Sequence, residues 1–202
     1  MASPRTLLQM AGAPLDPSAW EKAALVLIDA QMEYVDGALA LPTIGSALAE
    51  ARRVLDLARR RGAPVFHVVH HGRPGGPLFD PEGPKSKIAP EVAPSAGEAI
   101  IPKGLPNAFA KTTLHDAIRA SGRTELVVVG FMTHLCVSAS VRAALDLGYR
   151  TTVVAGATAT RDLPDPLGPA GAVQPAESVH RATLAALADR FAVVVRDAQA
   201  WS

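Results

Sequence analysis

Short apolar runs alternate along the chain with longer segments whose apolar positions recur every three or four residues. Ala24-Leu-Val-Leu-Ile28 reads as a buried strand. A helix is predicted over 46–61. Ala47, Ala51, Val54, Leu55 and Ala58 fall on one face, Ser46 is placed to cap it, and Gly62 follows its end. Further strands are predicted over 64–69, 99–101, 125–129, 149–155 and 191–195. Between them lie helices over 113–120, 133–147 and 175–190. The first opens on a Thr113…Asp116 capping pattern, and the last has Pro175 at a start position.

Strand–helix alternation of this kind predicts an α/β fold with a mostly parallel sheet. Leu126-Val-Val-Val129 does not alternate with polar residues, as expected of a strand covered on both faces. No internal repeat is visible. The stretch 72–97 carries six of the 17 prolines. It is too long for an ordinary connection, so it is read as a functional loop, a lid or an oligomer contact. A second irregular stretch covers 163–172.

Composition narrows this picture. With 202 residues, 49% of them hydrophobic, the chain has enough material for one well-filled core. One domain over 1–202 is expected, with an extension over 1–21. Twenty Lys and Arg against 19 Asp and Glu leave no basic excess, so no nucleic-acid partner is expected. No apolar run approaches the ~20 residues of a membrane span. The first 20 residues lack the apolar core of a secretory signal, so a cytoplasmic location is the expectation. One cysteine makes neither an intrachain disulfide nor a multi-cysteine metal site.

Three polar residues stand directly after predicted strands. Asp29 follows the first, Lys103 follows the third, and Cys136 sits just inside the helix after the fourth. In a parallel sheet all three lie at the carboxyl edge, where open α/β sheets bind ligands. Singly, each has an ordinary reading: a small buried cysteine, a strand-end aspartate, a surface lysine. Together they make a thiol, a carboxylate able to take and return its proton, and a cation. A helix N-terminus and the lysine are both expected to lower the thiol pKa. The segment Gly130 to Cys136 supplies candidate backbone donors for an oxyanion. On this reading the chain is a thiol hydrolase acting on an acyl carbon.

The words Leu27-Ile-Asp29-Ala-Gln31-Met-Glu-Tyr34, Ile101-Pro-Lys103-Gly-Leu-Pro-Asn107-Ala-Phe109 and Gly130-Phe-Met-Thr133-His-Leu-Cys136-Val137, with Gly148-Tyr149 closing the cysteine helix, resemble the isochorismatase-like cysteine hydrolases. The resemblance spans about 22–197. It implies a three-layer α/β/α sandwich with a six-stranded, mostly parallel, Rossmann-like sheet. It also implies a catalytic triad of Asp29 as base, Lys103 as charge-stabilising group and Cys136 as nucleophile. A cis peptide between Phe131 and Met132 is implied, with the N–H groups of Met132 and Cys136 as the oxyanion hole. Gln31, Tyr34 and Phe131 are implied at the substrate pocket. Relatives of this kind act on small molecules and pair into dimers or tetramers.

The sequence departs from the nicotinamidase branch. The region after the second strand reads His67-Val-Val-His70-His71, with no Asp-x-His motif, so neither a metal nor another cofactor is expected. His67 and His71 are expected on one face of the strand and His70 on the other. His134 is placed at the pocket rim. The expected function is an amidohydrolase cleaving an amide, N-carbamoyl compound or lactam, similar to carbamoylsarcosine amidases and streptothricin-type lactam hydrolases; the alternatives are an isochorismatase-type vinyl-ether hydrolase and a non-catalytic redox sensor with a reactive Cys136.

Overall fold

The computed structural model describes residues 3–202. In chain order its elements are α1 (Leu7–Met10), β1 (Ala23–Ile28), α2 (Glu33–Asp36), α3 (Ile44–Arg60), β2 (Val65–His70), β3 (Ala99–Lys103), α4 (Leu114–Ala120), β4 (Glu125–Phe131), α5 (Ser138–Asp146), β5 (Arg150–Ala159), β6 (Leu163–Pro164), β7 (Val173–Gln174), α6 (Ala176–Arg190) and β8 (Val193–Val195). Six strands form one sheet in the order β3-β2-β1-β4-β5-β8, every pairing parallel. The expected α/β/α sandwich is what the chain forms.

Pleat explains the two cores. On β1, Leu25 and Leu27 face α3 and meet Val54, Leu55 and Ala58 there. Ala24, Val26 and Ile28 face the other way, toward Ile118 of α4, Val141 of α5 and Leu187 of α6. All six residues of β1 are buried, which is why its sequence reads as an unbroken apolar run. The sheet order reverses between β1 and β4, so the crevice at their carboxyl ends is the topological switch point.

Several boundaries differ from the sequence reading, each for a local reason. α3 begins at Ile44 after Thr43, so Ser46 lies within its first turn and donates its hydroxyl to the Thr43 carbonyl at 2.9 Å instead of capping. Thr113 precedes α4, but its side chain makes no cap hydrogen bond, so the capping box does not form. Pro175 caps α6 from outside it. β3 runs through Lys103, which is therefore the last residue of the strand and not beyond it. The irregular stretch after β5 contains the small antiparallel pair β6–β7.

Neither the N-terminal extension nor the 72–97 stretch is loosely attached. Leu7 N–H donates to Asp189 of α6 at 2.9 Å, and Trp20 packs against Trp201 with ring centroids 5.1 Å apart and planes tilted by 41°. The long stretch is bound to the end of β1: Met32 N–H donates to Lys87, Ala89 N–H to Ala30, and Gln31 bridges to Ile88. Its Phe79, Ala89 and Val92 join the core.

Candidate active site

Asp29 follows directly on β1, with a left-handed φ of 51° that few non-glycine residues adopt. That turn takes the carboxylate off the strand pleat. On the neighbouring strand, Gly130 pairs with Ile28 and has φ 117°. β4 then passes through Phe131 to Met132, and the peptide between them is cis. The next turn, Thr133–Val137, is wider than α: Val137 N–H reaches back five residues to the Met132 carbonyl at 3.2 Å. This turn carries Cys136 over the switch point.

Lys103 arrives from the opposite side. Its strand pairs in register with β2, with Lys103 beside His70. The three expected catalytic residues converge. Lys103 Nζ lies 2.7 Å from Asp29 Oδ2 and 3.3 Å from Cys136 Sγ. The first contact is a close ion pair, and Lys103 and Cys136 are the polar groups beside the Asp29 carboxylate. Asp29 is fully buried, Lys103 is 3% exposed and Cys136 4%.

Burial decides the electrostatics. It pushes the Asp29 carboxyl up to about 6, against the pull of Lys103. It also pushes the Cys136 thiol up to about 12, with the neighbouring Asp29 charge adding to the effect and Lys103 only partly opposing it. The expected lowering of the thiol pKa is therefore corrected. Removing a thiolate from water, with Asp29 beside it, outweighs the single ammonium, so Cys136 rests as a thiol.

The other expected site residues surround this group. Tyr34 and Phe131 are buried and meet edge to face at 5.8 Å. The Tyr34 hydroxyl is held well above the usual phenol range by burial and by the Asp29 charge. The Gln31 side chain is spent on backbone. Its Nε2 donates to the carbonyls of His70 (3.0 Å) and Ser86 (2.8 Å), and its Oε1 accepts from His70 N–H (2.8 Å). Met132 N–H donates to no backbone or side-chain acceptor among the described residues. His134 is partly buried and bonds Thr160 through Nδ1.

The strand histidines separate as the pleat requires. His67 turns toward α3 and pairs with Glu98 at 2.9 Å, while His70 turns to Lys103, its Nδ1 3.2 Å from Nζ. Among the described residues, no three His, Cys, Asp or Glu side chains come together as a metal-binding group. Sequence reasoning did not identify the His70–Lys103 contact, the Phe79 ring packed 5.0 Å from His70, or the bond from Thr133 to His180 at 2.9 Å. Strand register and loop path decide these contacts, and neither leaves a local pattern.

The Isochorismatase domain family matches residues 23–199. The chain belongs to the isochorismatase family. Its fold superposes with a TM-score of 0.91 on the crystal structure of an isochorismatase from Pseudomonas putida, 43% identical, covering 98% of this chain and 99% of that one. A secreted isochorismatase effector of Verticillium dahliae is 34% identical over 96% of this chain and 97% of its own length. A streptothricin hydrolase of Streptomyces noursei is 36% identical over 87% of this chain and 63% of its own. The family places the chain among the hydrolases. No helix among the described residues is long and apolar enough to cross a membrane.

Proposed function

We propose that the chain is a cysteine hydrolase that cleaves the C–N bond of a small amide, N-carbamoyl compound or lactam through an acyl-enzyme on Cys136. The convergence of Asp29, Lys103 and Cys136 in one dry site carries the reading. Above about pH 6 the Asp29 carboxylate is ionised while Cys136 is still a thiol. Attack of Sγ on the carbonyl carbon passes the thiol proton to Asp29, so no free thiolate has to form beforehand. Negative charge develops on the carbonyl oxygen, where the Met132 and Cys136 N–H groups act as donors and the Lys103 ammonium supplies a fixed positive charge.

The C–N bond then breaks, and Asp29 returns the proton to the leaving nitrogen. In the second half Asp29 takes a proton from water, the hydroxide attacks the thioester carbon, and the C–S bond breaks as Asp29 returns that proton to sulfur, which restores both the thiol and the carboxylate. Tyr34 and Phe131 form the apolar wall, and Gln31 holds the backbone beside it. Each step uses only these groups and water. A cytoplasmic setting suits the chemistry because it keeps Cys136 reduced.

The raised thiol weighs against the redox sensor, which needs an accessible thiolate. A panel of amides, N-carbamoyl compounds and lactams tests the proposal. The wild type is expected to hydrolyse a member, and Cys136→Ala to lose at least about 10³-fold in kcat. Full activity of Cys136→Ala on that substrate would overturn the covalent route. Failure on every member, with peroxide oxidising Cys136, would favour the sensor.

A further inference from the structure

We propose that His70 is a positioning residue of this site: its neutral ring accepts the third proton of the Lys103 ammonium and fixes where that cation points. The inference rests on the amidohydrolase reading for its kinetic consequences, but not for its geometry.

An ammonium has three N–H groups and no other polar function. Around Lys103 Nζ stand three acceptors: Asp29 Oδ2 at 2.7 Å, His70 Nδ1 at 3.2 Å and Cys136 Sγ at 3.3 Å. Two of them are the reacting groups. Both change during turnover, as the sulfur exchanges its proton for a bond to carbon and the carboxylate gains that proton. His70 is the one acceptor whose bonding and protonation the cycle leaves alone. It therefore supplies a constant anchor while the other two contacts change strength. Without it, a buried ammonium would hold an unpaired N–H, and the group would be free to rotate or shift within the site.

The rest of the geometry serves this contact. His70 and Lys103 are paired across parallel strands, so their side chains leave the sheet on the same face. Gln31 clamps the His70 main chain from both sides, accepting from its N–H and donating to its carbonyl. The Phe79 ring stands edge-on to the imidazole at 5.0 Å, limiting its rotation. Burial and the neighbouring Lys103 charge hold the ring's pKa down at about 4, so at neutral pH it is uncharged and able to accept. With Nδ1 accepting, the proton must sit on Nε2. Gln31 thus reaches the catalytic cation through His70, which gives a role to a buried amide that is wholly spent on backbone.

The experiment combines two readouts. In ¹⁵N NMR of the imidazoles at pH 7, with His70 assigned by its loss in His70→Gln, the ring is expected as the Nε2–H tautomer. That preference is expected to weaken in Lys103→Met. On a hydrolysed amide, His70→Leu is expected to lower kcat about 10-fold to 100-fold at nearly constant KM. His70→Gln, whose amide oxygen can accept from the ammonium, is expected to recover most of the loss.

An Nδ1–H or freely exchanging tautomer in the wild type would overturn the proposal. So would an unchanged kcat in His70→Leu, a loss confined to KM, or a His70→Gln variant as impaired as His70→Leu. If the wild type hydrolyses no amide, the functional reading fails, while the tautomer still decides the role of His70. Circular dichroism on each variant separates unfolding from mispositioning.

Discussion

Gly130 and Ile28 approach so closely that a β-carbon added to Gly130 would lie 2.0 Å from the Ile28 carbonyl oxygen. Ile28 ends β1 just before Asp29, and Gly130 is the penultimate residue of β4, which leads into the Cys136 turn. Their contact sets how closely Asp29 and Cys136 can stand.

Gly130→Ala tests that spacing. The methyl group meets backbone, which cannot yield as a flexible side chain would, and φ 117° strains any L side chain. A stability loss of at least about 2 kcal/mol is expected from overpacking alone. Activity is expected to fall by roughly 10²-fold as the strand ends separate. Thermal melting and kcat check this. A variant matching the wild type in both would show that the approach is not needed.

The acid limb of the rate profile follows from Asp29. The base must be ionised to take the thiol proton, and its carboxyl sits at about 6. The kcat/KM of the wild type is therefore expected to fall tenfold per pH unit below about 6 and to level off above it. Measurement between pH 4 and 8 reads this directly. A limb near pH 4, the ordinary carboxylate range, would contradict the raised Asp29 carboxyl, and loss of the limb in Asp29→Asn without loss of rate would mean that Asp29 is not the base.

Glu98 governs acid stability with the opposite sign. Burial raises its carboxyl pKa, but Arg59 at 2.7 Å, the Ser95 N–H and His67 outweigh that and hold it at about 2. A group lowered in the folded state binds fewer protons there than when unfolded. Its stabilisation is present above about pH 4.5 and lost as pH falls toward 2. Glu98→Gln is expected to melt roughly 3–6 °C lower at pH 7 and to converge with the wild type near pH 2. Parallel melting curves at both pH values would contradict this.

The sheet was legible because burial on both faces leaves unbroken apolar runs such as Leu126-Val-Val-Val129. The convergence of Asp29, Lys103 and Cys136 was legible because strand ends are where a parallel sheet brings side chains together at one edge. Asp29 and Cys136 could be set on one edge without knowing which strands touch. Three features were not legible. The thiol's protonation state depends on how much water the closed site excludes, and no local pattern reports that. Gln31 was placed at the pocket from its motif, but its partners on residues 70 and 86 depend on the path of a proline-rich loop. His70 was assigned only a face of its strand. Its contact with Lys103 needs the β2–β3 register, which two short strands separated by a long excursion do not encode locally.

The covalent route is tested most directly by the intact mass of the enzyme, quenched in acid during turnover of a hydrolysed amide and followed by peptide mapping. A mass increase equal to the acyl half of the substrate is expected on the peptide containing Cys136, decaying as substrate is exhausted and absent in Cys136→Ala. Steady turnover with no adduct at Cys136, and the same rate in Cys136→Ala, would contradict it.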